Sequence, residues 1–414
     1  MILRTEQRVT VDKAKKILST LGIVYLACEI RVGKTAMSLT IANEGVRKKY
    51  DRVLFVTKKL AIPSIEADYK KLGYKYHLRV INYEQLGKET PYYNLIIADE
   101  CHGLGAFAKP SLRTKELKRV MGSADLILMS GTPYPQTPSQ VFHQFWPSEL
   151  SPFASKYKNF YAWAKDYVVI KKKFVNGWQI NDYSHAKEDK VKEAIAPYLV
   201  TLSQEQAGFS SFVDEEIIEI DIDPQMYGLM KVLKKDKVYR MKKTGDTIVS
   251  DTPVKMQSLF HQISSGTVKI EDKRYTLDTS KAQYIKDNFR GKKICIYFLF
   301  IQEGEVLRSF FPNHTDIPEE FNNSTDKVFI RQVVSGSMGV NLSTADVLIM
   351  YNIPFSAAIY WQVRGRMQVH ERTIASKMVW LFSKHGLERS VYNAVLRKKD
   401  FTLDFFREYI KELF

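Results

Sequence analysis

GIVYLACEIRVGKTAMSLTIA (Gly22–Ala42) joins an apolar, β-branched run to a loop that closes with Gly33, Lys34 and Thr35 and then opens into a helical pattern. Backbone N–H groups of such a loop and the N-terminus of the helix both face an anion, so this arrangement predicts a phosphate-binding site. Lys34 is expected to hold the β- and γ-phosphates of a nucleotide, and Thr35 to ligate Mg²⁺.

The phosphate-loop pattern GxxxxGK[ST] is incomplete, because Cys28 stands at the first glycine position and Arg31 stands in the loop. Gly33 still allows the close backbone approach that a phosphate requires. We therefore expect Arg31, Val32 and Gly33 to line the nucleotide site together with Lys34 and Thr35.

A pair of acids follows another apolar run in LIIADECH, which ends at His102. Asp99 is expected to bind Mg²⁺ through water, and Glu100 to orient or activate the attacking water, as phosphoryl transfer requires. The alternative is an acidic turn at the end of a strand. The combination with Lys34 favours a nucleotide-hydrolysing site that uses ATP and Mg²⁺.

Short apolar runs alternate with longer amphipathic stretches, which predicts parallel sheets with crossover helices and an α/β fold. The runs are GIVYLAC (Gly22–Cys28), RVLFVT (Arg52–Thr57), NLIIADE ending at Glu100, DLILMS (Asp125–Ser130), KICIYFLF (Lys293–Phe300), KVFIRQVV (Lys327–Val334), DVLIMY (Asp346–Tyr351) and KMVWLF (Lys377–Phe382). The long interval in the middle of the series and the chain length of 414 residues predict two lobes, residues 1–205 and 206–414.

The segment Pro147–Ser280 differs from the two series and is expected to hold accessory helices and hairpins. YVVIKKKFVNGWQIND places Asn176 and Gly177 between two extended runs, which predicts a basic β-hairpin with a tight turn. A second hairpin is predicted at Gly266–Asp278 and a helix at Pro224–Tyr239.

The chain carries 62 Lys and Arg against 46 Asp and Glu, a formal charge of +16. This excess favours a polyanionic partner, although a basic surface without such a partner is the alternative. The three cysteines (Cys28, Cys101 and Cys295) suggest neither a disulfide framework nor a zinc site. The sequence shows no signal peptide and no membrane-length apolar run, so we expect a cytoplasmic protein without a membrane partner.

DECH resembles the DExH box of superfamily 2 helicases, and SGTP (Ser130–Pro133) resembles their motif that couples hydrolysis to nucleic-acid binding. LRTEQ (Leu3–Gln7), VLFVTKKL and INYEQL are similar to motifs of the Swi/Snf-like branch, as are PYLVTLSQEQ (Pro197–Gln206), IDIDPQMYGLM and Ser280-Lys281. The resemblance spans nearly the whole chain. It implies two RecA-like lobes of parallel sheets flanked by helices, with helical and β-hairpin accessory elements.

The resemblance also extends to VVSGSMGVNLSTADVLIMYNIPFSAAIYWQVRGRMQ in the second lobe. It implies a pair of motifs that closes the ATP site. Gly339–Leu342 lie in the first motif, and Gln362, Gly365 and Arg366 lie in the second. Arg366 would neutralise charge developing on the γ-phosphate, whereas the alternative is an ordinary solvated arginine. Val369 departs from the pattern QxxGRxxR; either Arg364 or Arg372 substitutes for the missing arginine, or hydrolysis is slow.

The resemblance assigns further roles to individual residues. Arg4 and Gln7 would read the adenine; His102, Ser130, Gly131 and Thr132 would couple the two activities; Lys58, Lys59, Asn82, Tyr83, Ser335, Gly336 and Asn341 would contact nucleic acid. For Lys58 and Lys59 the alternative is a solvated turn, and for Tyr83 it is packing. Independently of the resemblance, the basic hairpin joins Lys171, Lys172 and Lys173 to the aromatic Phe174 and Trp178. We therefore expect Lys172 and Trp178 to touch duplex DNA or wedge a fork, unless Trp178 packs inward.

These observations favour an ATP-dependent DNA translocase or helicase, a nucleic-acid-stimulated ATPase that acts on single-stranded, duplex or branched DNA. Three alternatives stay open: an RNA helicase, a nucleic-acid clamp that binds ATP without hydrolysing it, and a motor subunit of a larger restriction or packaging complex. By analogy with the family, the expected context is bacterial or bacteriophage repair and recombination, including replication forks.

Overall fold

The computed structural model describes residues 2–46, 48–175, 178–208, 213–333, 342, 344–364, 376–397 and 409. The chain divides into two compact units, Met1–Phe209 and Ser210–Phe414. The boundary lies a few residues after the one predicted from the sequence. Each unit is described separately below.

Unit 1 is built on a six-stranded parallel sheet whose strand order is β3-β2-β4-β5-β1-β8. The strands of the unit are β1 (Ile23–Leu26), β2 (Arg52–Thr57), β3 (His77–Asn82), β4 (Leu95–Asp99), β5 (Asp125–Met129), β6 (Lys171–Val175), β7 (Trp178–Asp182) and β8 (Leu199–Val200). The helices are α1 (Thr5–Leu21), α2 (Lys34–Glu44), α3 (Ile62–Leu72), α4 (Leu112–Met121), α5 (Val141–Phe145), α6 (Phe160–Tyr167) and α7 (Glu188–Ile195).

Helices cover both faces of this sheet, and successive residues of its central strands enter different cores. In β1, Ile23 and Tyr25 pack into one buried cluster and Val24 and Leu26 into the other. A strand that is buried on both faces needs a continuous apolar sequence rather than an alternating one. This requirement explains why the uninterrupted run GIVYL predicts the strand correctly.

Unit 2 repeats the architecture with a second six-stranded parallel sheet, ordered β15-β16-β14-β17-β18-β9. The strands of the unit are β9 (Val213–Ile220), β10 (Val238–Arg240), β11 (Thr247–Val249), β12 (Thr267–Ile270), β13 (Lys273–Thr276), β14 (Ile294–Phe298), β15 (His314–Thr315), β16 (Val328–Gln332), β17 (Val347–Met350) and β18 (Ser376–Ser383). The helices are α8 (Pro224–Asp236), α9 (Pro253–Ile263), α10 (Ser280–Asn288), α11 (Ile301–Phe310), α12 (Pro318–Asn323), α13 (Ala357–Arg364) and α14 (Glu388–Leu396).

The two predicted hairpins are present. Strands β6 and β7 pair antiparallel with Val175 opposite Trp178, and β12 pairs with β13. The turn residues Asn176 and Gly177 lie outside the described residues.

Two predictions for the middle segment need correction. The helix predicted at Pro224–Tyr239 ends at Asp236, because Lys237 adopts a left-handed backbone conformation with φ 63° and the chain then enters β10. The segment Pro147–Ser280 is also not wholly accessory, since β8 and β9 form edge strands of the two main sheets. Among the described residues, no helix is long and apolar enough to cross a membrane.

Candidate nucleotide site and nucleic-acid surface

The predicted phosphate loop connects β1 to α2, which begins at Lys34. Gly33 precedes the helix with φ 92°, and a Cβ atom at this position would collide with Nε2 of Gln7. Both the backbone conformation and the crowding require glycine here. The loop thus has the tight approach to a helix N-terminus that phosphate binding needs.

Arg31 has a left-handed backbone conformation with φ 64°. A non-glycine residue in this region carries backbone strain, whereas a glycine carries none. The phosphate loop therefore keeps the shape that a glycine would favour although the residue is an arginine.

Lys34 folds back over the loop that it follows. Its Nζ donates to the carbonyl oxygens of Cys28 at 2.9 Å and Glu29 at 2.8 Å. These two carbonyls hold the ammonium group against the loop.

Two glutamines fasten the phosphate loop from different parts of unit 1. The Nε2 of Gln7 donates to the carbonyl of Val32 at 2.8 Å, and the Nε2 of Gln204 donates to the carbonyl of Ile30 at 3.0 Å. The Oε1 of Gln7 also accepts from the backbone N–H of Arg4 at 2.9 Å. The loop is thus braced on both sides by buried amides.

The acidic residues of the DECH segment lie at the carboxyl end of β4, at the same sheet edge as the phosphate loop. Asp99 lies level with Met129 in β5, and Met129 lies level with Leu26 in β1. Since the three strands are parallel neighbours, the loops that follow them start side by side. The carboxyl edge of a parallel sheet is the usual place for a ligand.

Asp99 is held by a hydroxyl from the neighbouring strand: Oγ1 of Thr57 donates to its Oδ2 at 2.8 Å. Burial, together with the negative charge of Glu100, raises the pKa of Asp99 to about 6. The bond from Thr57 and the positive charge of Lys34 act in the opposite direction. The carboxylate therefore lies within electrostatic reach of the phosphate-loop lysine.

Glu100 and His102 continue the site beyond the strand. Glu100 has φ 50°, a left-handed conformation that is costly for a glutamate and is found mainly where a site demands it. Its Oε2 lies 3.3 Å from Nδ1 of His102, and the same nitrogen lies 3.0 Å from Oγ of Ser130. The DECH and SGTP segments are thus in direct contact.

The SGTP loop also packs on the phosphate loop. A Cβ atom on Gly131 would lie 3.4 Å from Cγ2 of Ile30, and the backbone N–H of Thr132 donates to Oγ of Ser130 at 3.1 Å. Ser130 is fully buried. The SGTP loop and the phosphate loop are therefore in direct contact, so a movement of one changes the packing of the other.

The residues expected to hold Mg²⁺ fit that ion. Asp99 offers a carboxylate oxygen, the hard ligand that Mg²⁺ prefers, and Thr35 lies in the first turn of α2. Mg²⁺ is usually bound by one or two protein ligands together with substrate phosphates. The described residues contain no cluster of three or more His, Cys, Asp or Glu that would suit a self-contained metal centre.

The residues predicted to contact nucleic acid in unit 1 have different environments. Lys58 is partly buried, and burial lowers its pKa, while the charges of Glu100 and Asp99 raise it. Lys59 is exposed. The side chain of Asn82 caps a short 3₁₀-helix by accepting from the N–H of Gln85 at 3.1 Å.

Tyr83 is buried, and its hydroxyl donates to the backbone carbonyl of Asp99 at 2.6 Å. This position matches the packing alternative for Tyr83, and a contact with nucleic acid stays a prediction. In the basic hairpin, by contrast, Lys172 is exposed and Trp178 is 78% exposed, so the inward-packed alternative for Trp178 is wrong.

Most of the predicted site residues of unit 2 lie outside the described residues. This set comprises Ser335, Gly336, Gly339, Asn341, Gly365, Arg366, Val369 and Arg372. Gln362 and Arg364 are in helix α13, but their side chains are also outside the description. Their roles stay predictions.

Three contacts of the site were not predicted from the sequence. Thr57 orients Asp99, Tyr83 bonds the backbone beside it, and Gln204 fastens the phosphate loop. Gln204 lies in PYLVTLSQEQ, so the resemblance pointed to its segment without giving its partner.

Residues 312–368 match the helicase conserved C-terminal domain. The protein named Helicase SWR1 of Saccharomyces cerevisiae (strain ATCC 204508 / S288c) is 28% identical over 154 residues, which cover 30% of this chain and 10% of that protein. The chain thus spans about a tenth of the length of this relative.

The predicted resemblance to Swi/Snf-like helicases of superfamily 2 is confirmed. The fold of this helicase-like chain agrees with it. The solved helicase domain of Pyrococcus furiosus Hef has a TM-score of 0.51 at 12% identity, covering 94% of this chain and 97% of that one. The two parallel sheets flanked by helices are accordingly RecA-like lobes, as predicted.

A further solved structure, the Sulfolobus solfataricus SWI2/SNF2 ATPase core in complex with dsDNA, has a TM-score of 0.43 at 14% identity and covers 100% of this chain and 93% of that one.

Proposed function

We propose that the chain is an ATP-dependent DNA translocase or helicase that couples ATP hydrolysis to movement on DNA. The observation that carries the proposal is the meeting of three motifs at one sheet edge in unit 1. Lys34 follows β1, Asp99 ends β4 with Glu100 directly after it, and Ser130 follows β5. Such a convergence of a phosphate loop with paired acids suits phosphoryl transfer.

The chemistry follows from what each side chain can do. Lys34 exchanges its carbonyl partners for the β- and γ-phosphates, and the N–H groups at the start of α2 bind phosphate oxygens. Asp99 and Thr35 would hold Mg²⁺, which would neutralise charge on the phosphates when bound. Glu100 accepts a hydrogen bond from the attacking water and orients it toward the γ-phosphate.

Coupling to nucleic acid is assigned to the contact between His102 and Ser130. Oε2 of Glu100 lies 3.3 Å from Nδ1 of His102, and the same nitrogen meets Ser130 at the start of the SGTP loop. A shift of the SGTP loop on nucleic-acid binding would therefore reorient the glutamate that positions water. We assign Arg366 to charge neutralisation in the transition state, supported by Gln362, with Arg364 as the substitute for the arginine that Val369 replaces.

The polymer is proposed to be DNA, since the sequence resembles the Swi/Snf-like branch, and its net charge of +16 suits a phosphate backbone. Lys58 and Lys59, at the end of β2, would contact phosphates, together with Ser335, Gly336 and Asn341 from unit 2. Arg4 and Gln7 would contact the adenine of ATP. Forks or branched junctions in replication, repair or recombination are the proposed substrates.

A clamp that binds ATP without hydrolysing it is the second candidate. The strained backbone of Arg31 favours it, because this departure from the pattern lies in the phosphate loop itself.

Steady-state ATP hydrolysis distinguishes these candidates. The assays contain no polymer, single-stranded DNA, duplex DNA, a branched junction or RNA. Glu100→Gln and Lys34→Ala test the site, and Glu66→Gln, at an exposed acid of α3 outside the predicted motifs, serves as the matched control. We expect DNA-selective stimulation that both site variants lose and the control retains.

Each other result has a defined meaning. Equal stimulation by RNA would replace the DNA assignment, whereas ATP binding without turnover in any assay would favour the clamp. Full activity of Lys34→Ala would contradict the nucleotide site. Activity that appears only after addition of a partner protein would favour a subunit of a larger complex.

A further inference from the structure

The basic hairpin, β6–β7 (Lys171–Asp182), exposes aromatic rings to an unusual degree. Trp178 is 78% and Phe174 75% exposed, whereas Trp163 and Trp380 are completely buried. Lys171, Lys172 and Lys173 are exposed on the first strand of the hairpin. Large rings that face solvent beside several cations mark a binding surface more often than a packing surface.

The two aromatic rings lie on opposite faces of the hairpin. Lys173 pairs with Ile180 and Phe174 pairs with Gln179, so Phe174 and Gln179 share one face. Trp178 shares the other face with Ile180, two residues further along the strand. Each face therefore carries one large ring close to the turn.

Each face also carries a lysine and polar groups. Lys172 and Asn181 share the face of Phe174, and Lys173 shares the face of Trp178. The face of Phe174 is otherwise polar, and the face of Trp178 mixes the half-exposed Ile180 with Lys173, whose Nζ lies 3.8 Å from Oδ1 of Asp182. A single exposed ring beside a cation suits a nucleobase and its phosphate, because stacking needs one flat ring and the backbone needs one positive charge.

The base of the hairpin is fastened to the segment that follows the SGTP motif. Oγ1 of Thr137 donates to the carbonyl of Ser184 at 2.6 Å, and Oγ of Ser139 donates to the carbonyl of Tyr183 at 2.6 Å. The backbone N–H of Val169 donates to the carbonyl of His185 at 2.9 Å. The hairpin thus leaves unit 1 from a base that is hydrogen-bonded to the segment following the SGTP motif.

We propose that strands β6 and β7 of the basic hairpin bind where duplex nucleic acid meets single strands, with Trp178 stacking on an unpaired base of one strand and Phe174 on a base of the other. Lys172 and Lys173 bind the adjacent phosphates. The proposal rests on the proposed function, since it specifies the substrate of the same motor: a fork or junction with unpaired bases. Anchoring beside the SGTP segment links the hairpin to the nucleotide site.

The test measures affinity of the full chain for a labelled single strand, a blunt duplex and a fork of the same sequence. The variants are Trp178→Ala and Phe174→Ala, with Trp178→Phe as the conservative variant that keeps a ring. Tyr92→Ala is the matched control, because Tyr92 is another exposed aromatic residue of unit 1. Circular dichroism confirms that each variant is folded.

We expect each alanine variant to weaken fork binding by roughly 5- to 150-fold, the loss of one base–aromatic stack. Binding to the blunt duplex changes less than about twofold, Trp178→Phe recovers most of the fork affinity, and Tyr92→Ala binds like the wild type. Strand separation falls in parallel with fork affinity.

Unchanged fork binding in both alanine variants would overturn the proposal, as would an equal loss on fork and blunt duplex. Binding of the wild type to vesicles of phosphatidylcholine and phosphatidylserine that Trp178→Ala abolishes, with nucleic-acid binding intact, would assign the hairpin to a membrane surface instead. ATP hydrolysis by the wild type and by Glu100→Gln is measured in parallel. This comparison distinguishes a failure of the hairpin proposal from a failure of the proposed motor function. If DNA stimulates hydrolysis but the hairpin variants bind the fork like the wild type, only the hairpin proposal is contradicted. If the hairpin variants bind the fork more weakly but no hydrolysis is detected, only the motor function is contradicted.

Discussion

His102 and Ser130 meet at 3.0 Å between the ring Nδ1 and the hydroxyl oxygen, although they lie in different motifs after different strands. The same ring nitrogen is 3.3 Å from Glu100, so the histidine stands between the predicted water-orienting acid and the SGTP loop. We predict that His102→Ala lowers the stimulation of ATP hydrolysis by DNA more than the hydrolysis without DNA.

A double-mutant cycle measures this link directly. His102→Ala and Ser130→Ala, singly and together, are compared through kcat/KM for DNA-stimulated hydrolysis. Residues in direct contact should be coupled by about 0.5–3 kcal/mol. Ser111→Ala is the control, since its hydroxyl caps α4 away from the site. Additive effects of the two substitutions would mean that the contact does not transmit coupling.

Arg31 offers a test of strain in the phosphate loop. Because its φ is 64°, Arg31→Gly should be more stable to unfolding than Arg31→Ala by about 1 kcal/mol. Both variants lose the arginine side chain, so the difference isolates the backbone. Urea unfolding of the two variants gives the value, and equal stabilities would show that the left-handed conformation relaxes without cost. ATP hydrolysis by Arg31→Gly is expected to persist.

Lys281 and Glu388 form a fully buried ion pair in unit 2, with 2.8 Å between Nζ and Oε1. Removing one partner leaves the other charge buried, so Glu388→Ala should cost about 3–5 kcal/mol in the free energy of unfolding. Replacing both with apolar residues, Lys281→Met and Glu388→Leu, should cost less than the single change. Asp251→Ala breaks an exposed pair with Lys255 and should cost less than about 1 kcal/mol. A double variant as unstable as Glu388→Ala would contradict this account.

His143 should make unit 1 sensitive to acid. Burial lowers the pKa of His143 to about 4 from 6.5, while its bond to the carbonyl of Ala106 acts weakly in the opposite direction. In the unfolded chain, His143 takes up a proton as the pH falls below 6.5. In the folded chain, His143 takes up this proton only near pH 4. The contribution of His143 to stability is therefore complete above pH 6.5 and is lost progressively between pH 6.5 and about 4.

His143→Phe keeps an aromatic ring among Phe142, Trp146 and Phe160 and removes the titrating group. Between pH 7 and pH 5, the wild type should lose on the order of 2 kcal/mol more stability than this variant. Urea unfolding at the two pH values checks the difference. His185→Gln, at a partly exposed histidine, should follow the wild type; an identical pH slope in His143→Phe would rule out His143 as the source.

The sequence predicts the central strands well and the edges poorly. Strands such as β2 and β14 are continuous apolar runs because both faces of the sheet are covered. By contrast, β9 reads VDEEIIEI and β8 has only two residues, so neither carries the signal of a buried strand. Their places in the sheets are fixed by pairing with β18 and β1.

The site shows the same division. Lys34, Asp99 and Glu100 are recognisable because their chemistry depends on local spacing. The bonds from Thr57 to Asp99 and from Gln204 to Ile30 join residues far apart in the chain, so no local pattern contains them. Tyr83 shows that a motif position does not fix the exposure of a side chain. Its place in the motif predicted a contact with nucleic acid, but the ring is buried in the structure.

The exposure of Trp178 gives the chain an optical reporter of its own. Of the five tryptophans, Trp163 and Trp380 are shielded completely, whereas the indole of Trp178 stands in water beside three lysines. A collisional quencher such as iodide would reach this indole first, helped by the neighbouring positive charge. The intrinsic emission of the unlabelled protein thus contains a component from β7 of the basic hairpin that such a quencher reaches.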